Sequence, residues 1–175
     1  MKNESEIITR DQERYLPVFS RYPIVLDHGD GSYVWDVNGR KYLDALGGIA
    51  VNVLGHNYAP LVNAIGDQAK RIIHVSNLYY TEPQAEAATK LSGLTAGGKV
   101  FFGNSGAAAD EGALKGARKY AHTIRPNKSQ IITALGSFHG RTLATLTATG
   151  QEKFHRGFEP LPQGFDYLPF NDICA

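Results

Sequence analysis

The feature that most constrains the fold is a four-residue turn, Gly-Asn-Ser-Gly at 103–106, which stands directly before an alanine-rich stretch. Lys99–Phe102 is typical of a short buried strand, and Ala107–Tyr120 predicts a helix. Gln130–Leu135 predicts a second strand, and the β-branched run Thr142–Thr147 predicts either a third sheet segment or the start of a helix. A strand, a helix and a strand in succession indicate a βαβ unit of a parallel sheet, and therefore an α/β fold.

The helix after this turn has a well-marked start. Asn104 and Ser105 are residue types that favour the N-cap position, and Glu111 and Lys115 are spaced as an i,i+4 ion pair. The first amides of a helix have no partner inside it, so they can bind an anion such as a phosphate group. The alternative is an ordinary capped helix that holds no ligand, because short motifs of this kind also occur without one.

Composition excludes several classes of protein. The 175 residues carry 18 basic and 17 acidic side chains without a basic tract, which argues against nucleic acid and anionic membranes as partners. Cys174 is the single cysteine, so an internal disulfide framework and a cysteine-rich metal site are excluded. The N-terminus is polar, and the longest mostly apolar run, residues 45–55, is too short to span a bilayer. We therefore expect a cytoplasmic protein.

The first half of the chain predicts an arm, a small sheet and two helices. Residues 1–20 suggest an N-terminal helix or arm, and Tyr22–Leu46 suggests short strands joined by tight turns. A glycine-rich loop begins at Gly47, and helices are predicted over Pro60–Ile73 and Glu82–Ser92. The predicted strands are too few to complete a doubly wound sheet, so we expect the chain to be part of a longer protein.

Four stretches together resemble one family. They are YVWDVNGRKYLDALGGIAVNVLGH (33–56), HVSNLYYTEPQ (74–84), FFGNSGAAADEGALKGARKYA (101–121) and SFHGRTLATLTATG (137–150). In this order they are similar to the class III aminotransferases, which depend on pyridoxal 5'-phosphate. The resemblance implies the α/β fold type I of these transferases. It assigns residues 1–46 to an arm and small-domain strands, and 47–175 to an incomplete large domain with a mostly parallel sheet.

The resemblance also implies the roles of individual residues. Ser105, Gly106 and Ala107 match the seat of the cofactor phosphate, and Phe138 matches the aromatic residue that stacks on the cofactor ring. Arg141 matches the arginine that binds the substrate α-carboxylate, a task suited to a planar, permanently charged guanidinium. Without the motif, a core aromatic is the commoner explanation for Phe138, and a solvated surface residue is the commoner explanation for Arg141.

Two histidines and two substitutions complete the candidate set. His139 lies between the two motif residues and is more readily explained as structural than as a ligand contact. His56 follows a glycine and is interpreted as a hydrogen-bonded turn or core histidine. Members of the family usually carry Glu at the position of Ala108 and Asn at that of Asp110.

The catalytic residues of the family are not found in this sequence. Its cofactor chemistry needs a Schiff-base lysine and an acid paired with the pyridine nitrogen, both from later motifs. Lys99, Lys115 and Lys119 match neither. We therefore assign no catalytic residue to these 175 residues, and expect the chain alone to be inactive.

Within the family, the runs GGIAVNVLGH and SFHGRTLATLTATGQ most resemble the branch that acts on acetylornithine. That resemblance implies transfer of the δ-amino group of N2-acetyl-L-ornithine to 2-oxoglutarate, giving glutamate, in arginine biosynthesis, by a homodimer. An ornithine, succinylornithine or 4-aminobutyrate donor is the alternative within the class. A non-catalytic truncated remnant is a second reading. A nucleotide-binding protein is disfavoured because neither Gly-x-Gly-x-x-Gly after a strand nor a Gly-Lys-Ser/Thr loop is present.

Overall fold

A computed structural model describes residues 3–174 of the chain. Contacts between residues divide the chain into two compact units, with the boundary between Tyr79 and Tyr80. The domain boundary predicted after Leu46 concerns the complete protein and stays a prediction. Among the described residues, no helix is long and apolar enough to cross a membrane.

The first unit contains a three-stranded antiparallel sheet in the order β1-β2-β3. A two-residue turn with Gly31 at φ 52° joins β1 to β2, which is a backbone conformation that glycine adopts without strain. The predicted short strands, N-terminal helix and Pro60–Ile73 helix are confirmed. Its elements are α1 (Glu4–Arg14), β1 (Leu26–Asp30), β2 (Tyr33–Asp36), β3 (Lys41–Leu43), the one-turn segment α2 (Gly47–Ala50) and α3 (Ala59–Arg71).

Asp44 and His56 hold the glycine-rich turn of this unit. The residues of α2 have left-handed φ angles between 52° and 65°, which is costly for its non-glycine members. The Asp44 carboxylate accepts hydrogen bonds from the Leu46 and Gly47 amides, and His56 Nε2 lies 2.8 Å from its other oxygen. His56 is thus a hydrogen-bonded turn histidine, as the sequence predicted.

The second unit contains a parallel pair of strands with helices around it. Strands β4 and β5 pair from Ile131 opposite Phe165 to Ala134 opposite Leu168. The prediction of a parallel α/β unit and of the strand within Gln130–Leu135 is confirmed. The elements are α4 (Glu82–Leu94), α5 (Gly106–Ile124), β4 (Ile131–Ala134), α6 (Leu143–Ala148), a 3-10 turn (Glu152–Phe154) and β5 (Phe165–Leu168).

Two sequence predictions need correction in this unit, and one that had two alternatives is decided. Lys99–Phe102 forms no strand within the described residues, because a strand exists only beside a partner backbone; the ring of Phe101 lies against Gly112 of α5 instead. Of the two alternatives predicted for Thr142–Thr147, the helix start is confirmed, because Thr142 is the N-cap of α6. The predicted ion pair between Glu111 and Lys115 is not found among the described residues. The Glu111 carboxylate instead accepts a hydrogen bond from Thr142 Oγ1.

The most buried part of the second unit is α6 and the residue after it. Leu146 and Ala148 are buried apolar residues, and the three threonines Thr145, Thr147 and Thr149 are buried with them. Burying a hydroxyl group costs free energy unless it is hydrogen-bonded, and all three of these hydroxyls are. The buried helix therefore carries no unsatisfied threonine hydroxyl.

Candidate cofactor site

The start of α5 presents free amides at the surface of the second unit. Ser105 is the N-cap in extended conformation, and its hydroxyl oxygen accepts a hydrogen bond from the Ala108 amide at 3.1 Å. No hydrogen bond to the Gly106 and Ala107 amides is found within residues 3–174. These two donors lie at the positive end of a 19-residue helix, so this end attracts an anion.

Glycine at 103 allows the turn to fold over this helix start. A Cβ at Gly103 would come within 3.1 Å of the Ala108 Cβ and 3.2 Å of the Ala109 nitrogen. The small side chain of Ala108, where family members usually carry Glu, therefore packs directly under the turn. At Gly106 an added Cβ would meet nothing within 4 Å, so the space in front of the helix is open.

The loop 136–142 lies directly against this helix start. Gly140 is buried with a φ of 134°, and a Cβ there would come within 2.7 Å of the Ala107 Cβ. Thr142 Oγ1 donates to Glu111 at 2.5 Å, and His139 Nδ1 lies 3.4 Å from an Asp110 carboxylate oxygen. The structure thus brings the predicted phosphate-binding residues and the Phe138–Arg141 segment together.

Phe138 and Arg141 form an exposed aromatic and cationic cluster with Phe154. Phe138 is 57% exposed, which is not the burial of a core aromatic. Its ring meets the Phe154 ring edge-on, with centroids 6.1 Å apart. The Arg141 guanidinium lies over both rings, and the Lys153 ammonium lies 4.8 Å from the Phe154 centroid. An exposed aromatic ring with two cations nearby suits a planar ligand that carries negative charge.

Sequence reasoning missed Phe154 and the contact between Glu111 and Thr142. Phe154 lies in a 3-10 turn with no motif around it, so only its proximity in the fold reveals it. Thr142 does cap α6, with its hydroxyl close to that of Thr145, but the motif that marks such boxes has Glu or Gln at the third helical position. The His139 backbone amide is hydrogen-bonded to Thr149 Oγ1, and the structural role favoured for its side chain stays a prediction.

A cavity of about 270 Å³ lies between α5 and β4 and is bordered by His139 of the loop 136–142. Its walls are mostly apolar, with His139 and Asp110 at one side and Thr133 of β4 at another. The Thr133 hydroxyl is buried and has no hydrogen-bond partner among the described residues.

An exposed helix start, held against an aromatic and cationic loop that follows a parallel strand, defines an α/β unit suited to a phosphorylated planar cofactor. The profile of the family described as Aminotransferase class-III matches residues 16–175. The chain belongs to the class III aminotransferases, enzymes that depend on pyridoxal 5'-phosphate.

Curated relatives narrow the comparison. The chain is 55% identical over 170 residues to the acetylornithine aminotransferase of Caldanaerobacter subterraneus subsp. tengcongensis, covering 97% of this chain and 43% of the relative. It is 49% identical over 173 residues to the acetylornithine aminotransferase of Methanothermobacter thermautotrophicus, covering 99% of this chain and 43% of the relative. The chain therefore spans less than half the length of these relatives.

Solved structures agree on the fold. An ornithine aminotransferase from Toxoplasma gondii superimposes with a TM-score of 0.91 at 27% identity, covering 98% of this chain and 41% of that one. An acetylornithine aminotransferase from Elizabethkingia anophelis gives a TM-score of 0.78 at 29% identity, covering 100% and 40%. The described architecture is thus part of the fold type I of pyridoxal-phosphate-dependent aminotransferases, as the sequence predicted.

Proposed function

We propose that the complete protein is an aminotransferase that moves the δ-amino group of N2-acetyl-L-ornithine to 2-oxoglutarate, in arginine biosynthesis. The observation that carries this proposal is the contact between Gly140 and Ala107, which joins an anion seat to an aromatic and cationic surface. Relatives named acetylornithine aminotransferase, at 49–55% identity over nearly all of the chain, supply the substrate.

The residues present fit pyridoxal 5'-phosphate. The Gly106 and Ala107 amides and the Ser105 hydroxyl would hold the phosphate, because these donors stand at an open helix start without a bulky side chain in front. The exposed face of Phe138 would support the ring. When bound, this cofactor supplies an electron sink that stabilises negative charge at the substrate carbon.

Arg141 would bind and orient the substrates. N2-acetyl-L-ornithine and 2-oxoglutarate each carry a carboxylate, and a guanidinium can hold one through two parallel hydrogen bonds. The Arg141 guanidinium carbon lies 5.5 Å from the centre of the Phe138 ring and 4.4 Å from that of the Phe154 ring, so both aromatic contacts restrict the side chain. Lys153 beside Phe154 adds a second positive charge, which favours dianionic over neutral ligands at this surface.

The remaining steps belong to residues outside this set. The Schiff-base lysine and the acid that pairs with the pyridine nitrogen match no residue of the 175, so proton transfer at the substrate carbon is assigned to none of them. We further propose that the complete enzyme is a cytoplasmic homodimer. Ornithine, succinylornithine and 4-aminobutyrate remain the competing amino donors, and no observation favours a non-catalytic remnant over the enzyme.

The test uses the complete polypeptide that the gene encodes, purified with pyridoxal 5'-phosphate. Glutamate formation from 2-oxoglutarate is measured with each of the four amino donors. We expect the highest kcat/KM with N2-acetyl-L-ornithine. A higher kcat/KM with another donor would replace the proposed substrate, and no glutamate from any donor would support the remnant.

A further inference from the structure

We propose that Thr149 is a positioning residue that holds the Phe138–Arg141 loop in place for substrate binding. Its hydroxyl oxygen accepts a hydrogen bond from the His139 amide at 3.0 Å, in the middle of that loop. The same hydroxyl donates to the Thr145 carbonyl at 2.9 Å. Thr149 is fully buried, so both hydrogen bonds are shielded from water.

The rest of the loop is fastened to the same part of the chain. At its beginning, the Gly136 amide donates to the Gly150 carbonyl at 2.8 Å, and the Gln151 side chain donates to the Ser137 carbonyl at 3.0 Å. At its end, the Thr142 amide donates to Thr145 Oγ1 at 3.1 Å. Thr149 fastens the middle of the loop, between these two ends, through the amide of His139, which lies next to Phe138.

Thr149 is itself held from the other side. The His155 ring nitrogen Nε2 lies 2.7 Å from the Thr149 carbonyl and 3.0 Å from the Leu146 carbonyl, so it caps the end of α6. The Tyr167 hydroxyl donates to the Thr147 carbonyl at 2.6 Å, which ties the same end to β5. The backbone that carries the Thr149 hydroxyl is therefore held in place by these hydrogen bonds.

This arrangement gives Thr149 a consequence at the binding surface. Removing its hydroxyl would leave the His139 amide without an acceptor. Because an unsatisfied buried amide costs free energy, we expect the loop to move until this amide finds another partner. Such a movement would shift Phe138 and Arg141 away from the α5 start, and a displacement of about 1 Å is enough to weaken binding of a positioned substrate. The inference rests on the proposed function, because it assigns substrate binding to this loop.

The test compares Thr149→Val with Thr149→Ser and Thr147→Val in the complete polypeptide. Valine keeps the shape and removes the hydroxyl, while serine keeps the hydroxyl. Thr147 is a matched control, since it is equally buried and its hydroxyl donates only to the Leu143 carbonyl within α6. Measurements are KM and kcat for both substrates, and hydrogen exchange at the His139 amide.

We expect Thr149→Val to raise KM for both substrates by about tenfold with a smaller change in kcat, and to accelerate exchange at His139 by about tenfold. Thr149→Ser should restore both values, and Thr147→Val should change neither. Equal KM values in Thr149→Val and Thr147→Val, with an active wild-type enzyme, would overturn the inference. An inactive wild-type protein would instead count against the proposed function.

Discussion

The Arg141 guanidinium lies 4.4 Å from the centre of the Phe154 ring, a residue thirteen positions further along the chain. A guanidinium stacked on an aromatic face is held in one plane while its N–H groups stay available at the edge. The ring of Phe138, the second ring of the cluster, also contacts the Arg141 guanidinium. Because both rings restrict the Arg141 side chain before a carboxylate arrives, we expect a lower entropic cost of binding.

Replacing Arg141 with lysine should weaken substrate binding without releasing the cofactor. Arg141→Lys keeps the charge but loses the planar fork and its stacking on Phe154. The loss of one charge-assisted contact is worth roughly 1.5–3 kcal/mol, or about ten- to a hundredfold in KM for both substrates. Steady-state kinetics and cofactor titration check this. Loss of cofactor with unchanged KM values would place Arg141 at the phosphate instead.

Ser105→Ala should affect both the helix and the phosphate seat. The lost N-cap costs about 1 kcal/mol of stability. Affinity for pyridoxal 5'-phosphate should fall about tenfold, while affinity for pyridoxal, which has no phosphate, should stay the same. Thr123→Ala is the control, because its hydroxyl bonds only to the Tyr120 carbonyl at the other end of α5. Equal losses for both ligands would contradict a phosphate contact.

Two glycines of α5 should respond differently to replacement by alanine. At Gly116 an added Cβ meets nothing within 4 Å, so Gly116→Ala should stabilise the protein by up to about 1 kcal/mol. At Gly112 the Cβ would come within 2.8 Å of the Phe101 ring, so Gly112→Ala should gain less or lose stability. Urea unfolding of both variants measures this. A larger gain at Gly112 than at Gly116 would show that Phe101 does not pack there.

Acid should destabilise the first unit through Asp44. The hydrogen bond from His56, followed by that from the Gly47 amide, lowers the pKa of Asp44 below its ordinary value. The unfolded carboxyl then binds more protons than the folded one. The stabilisation is fully present above the unfolded pKa of about 3.9 and is lost as the pH falls through the folded pKa.

Fluorescence of Trp35, the single tryptophan, reports unfolding of this unit as the pH falls from about 5 towards 1. Asp44→Asn should flatten the acid dependence, whereas Asp67→Asn should not, because Asp67 forms only an exposed ion pair with Lys70. If the stability of Asp44→Asn fell as steeply with pH as that of the unchanged protein, Asp44 would not be the group responsible.

The isolated 175-residue chain should self-associate and form no glutamate. Asn77, Tyr79 and Tyr80 are exposed, as the sequence predicted for a lone fragment, and Ile73 and Leu78 are more than four-fifths exposed beside them. Exposed apolar surface of this kind favours association. Size-exclusion chromatography with light scattering and a glutamate assay measure both properties. A monomer with transaminase activity would contradict this expectation.

The candidate site was predictable from sequence to the extent that it depends on local signals. A Ser105 hydroxyl reaches its own helix amides, so the start of α5 can be read from neighbouring residues alone. The motif around Phe138 and Arg141 resembles one family closely enough to suggest their roles. Phe154 has no such signal, because its proximity to Arg141 arises only when the chain folds back after α6.

The sequence by itself determined the short-range features: the turn at Gly31, the cap at Ser105, the helices Ala59–Arg71 and Glu82–Leu94, and the family. The turn, the cap and the helices depend on contacts within a few residues, where residue type and spacing are enough. Tertiary structure decided which segments pair as strands. Phe165–Leu168 became a strand despite its proline-rich surroundings because β4 lies beside it, while Lys99–Phe102 found no partner among the described residues. Strands need a distant backbone, and no local pattern specifies which one.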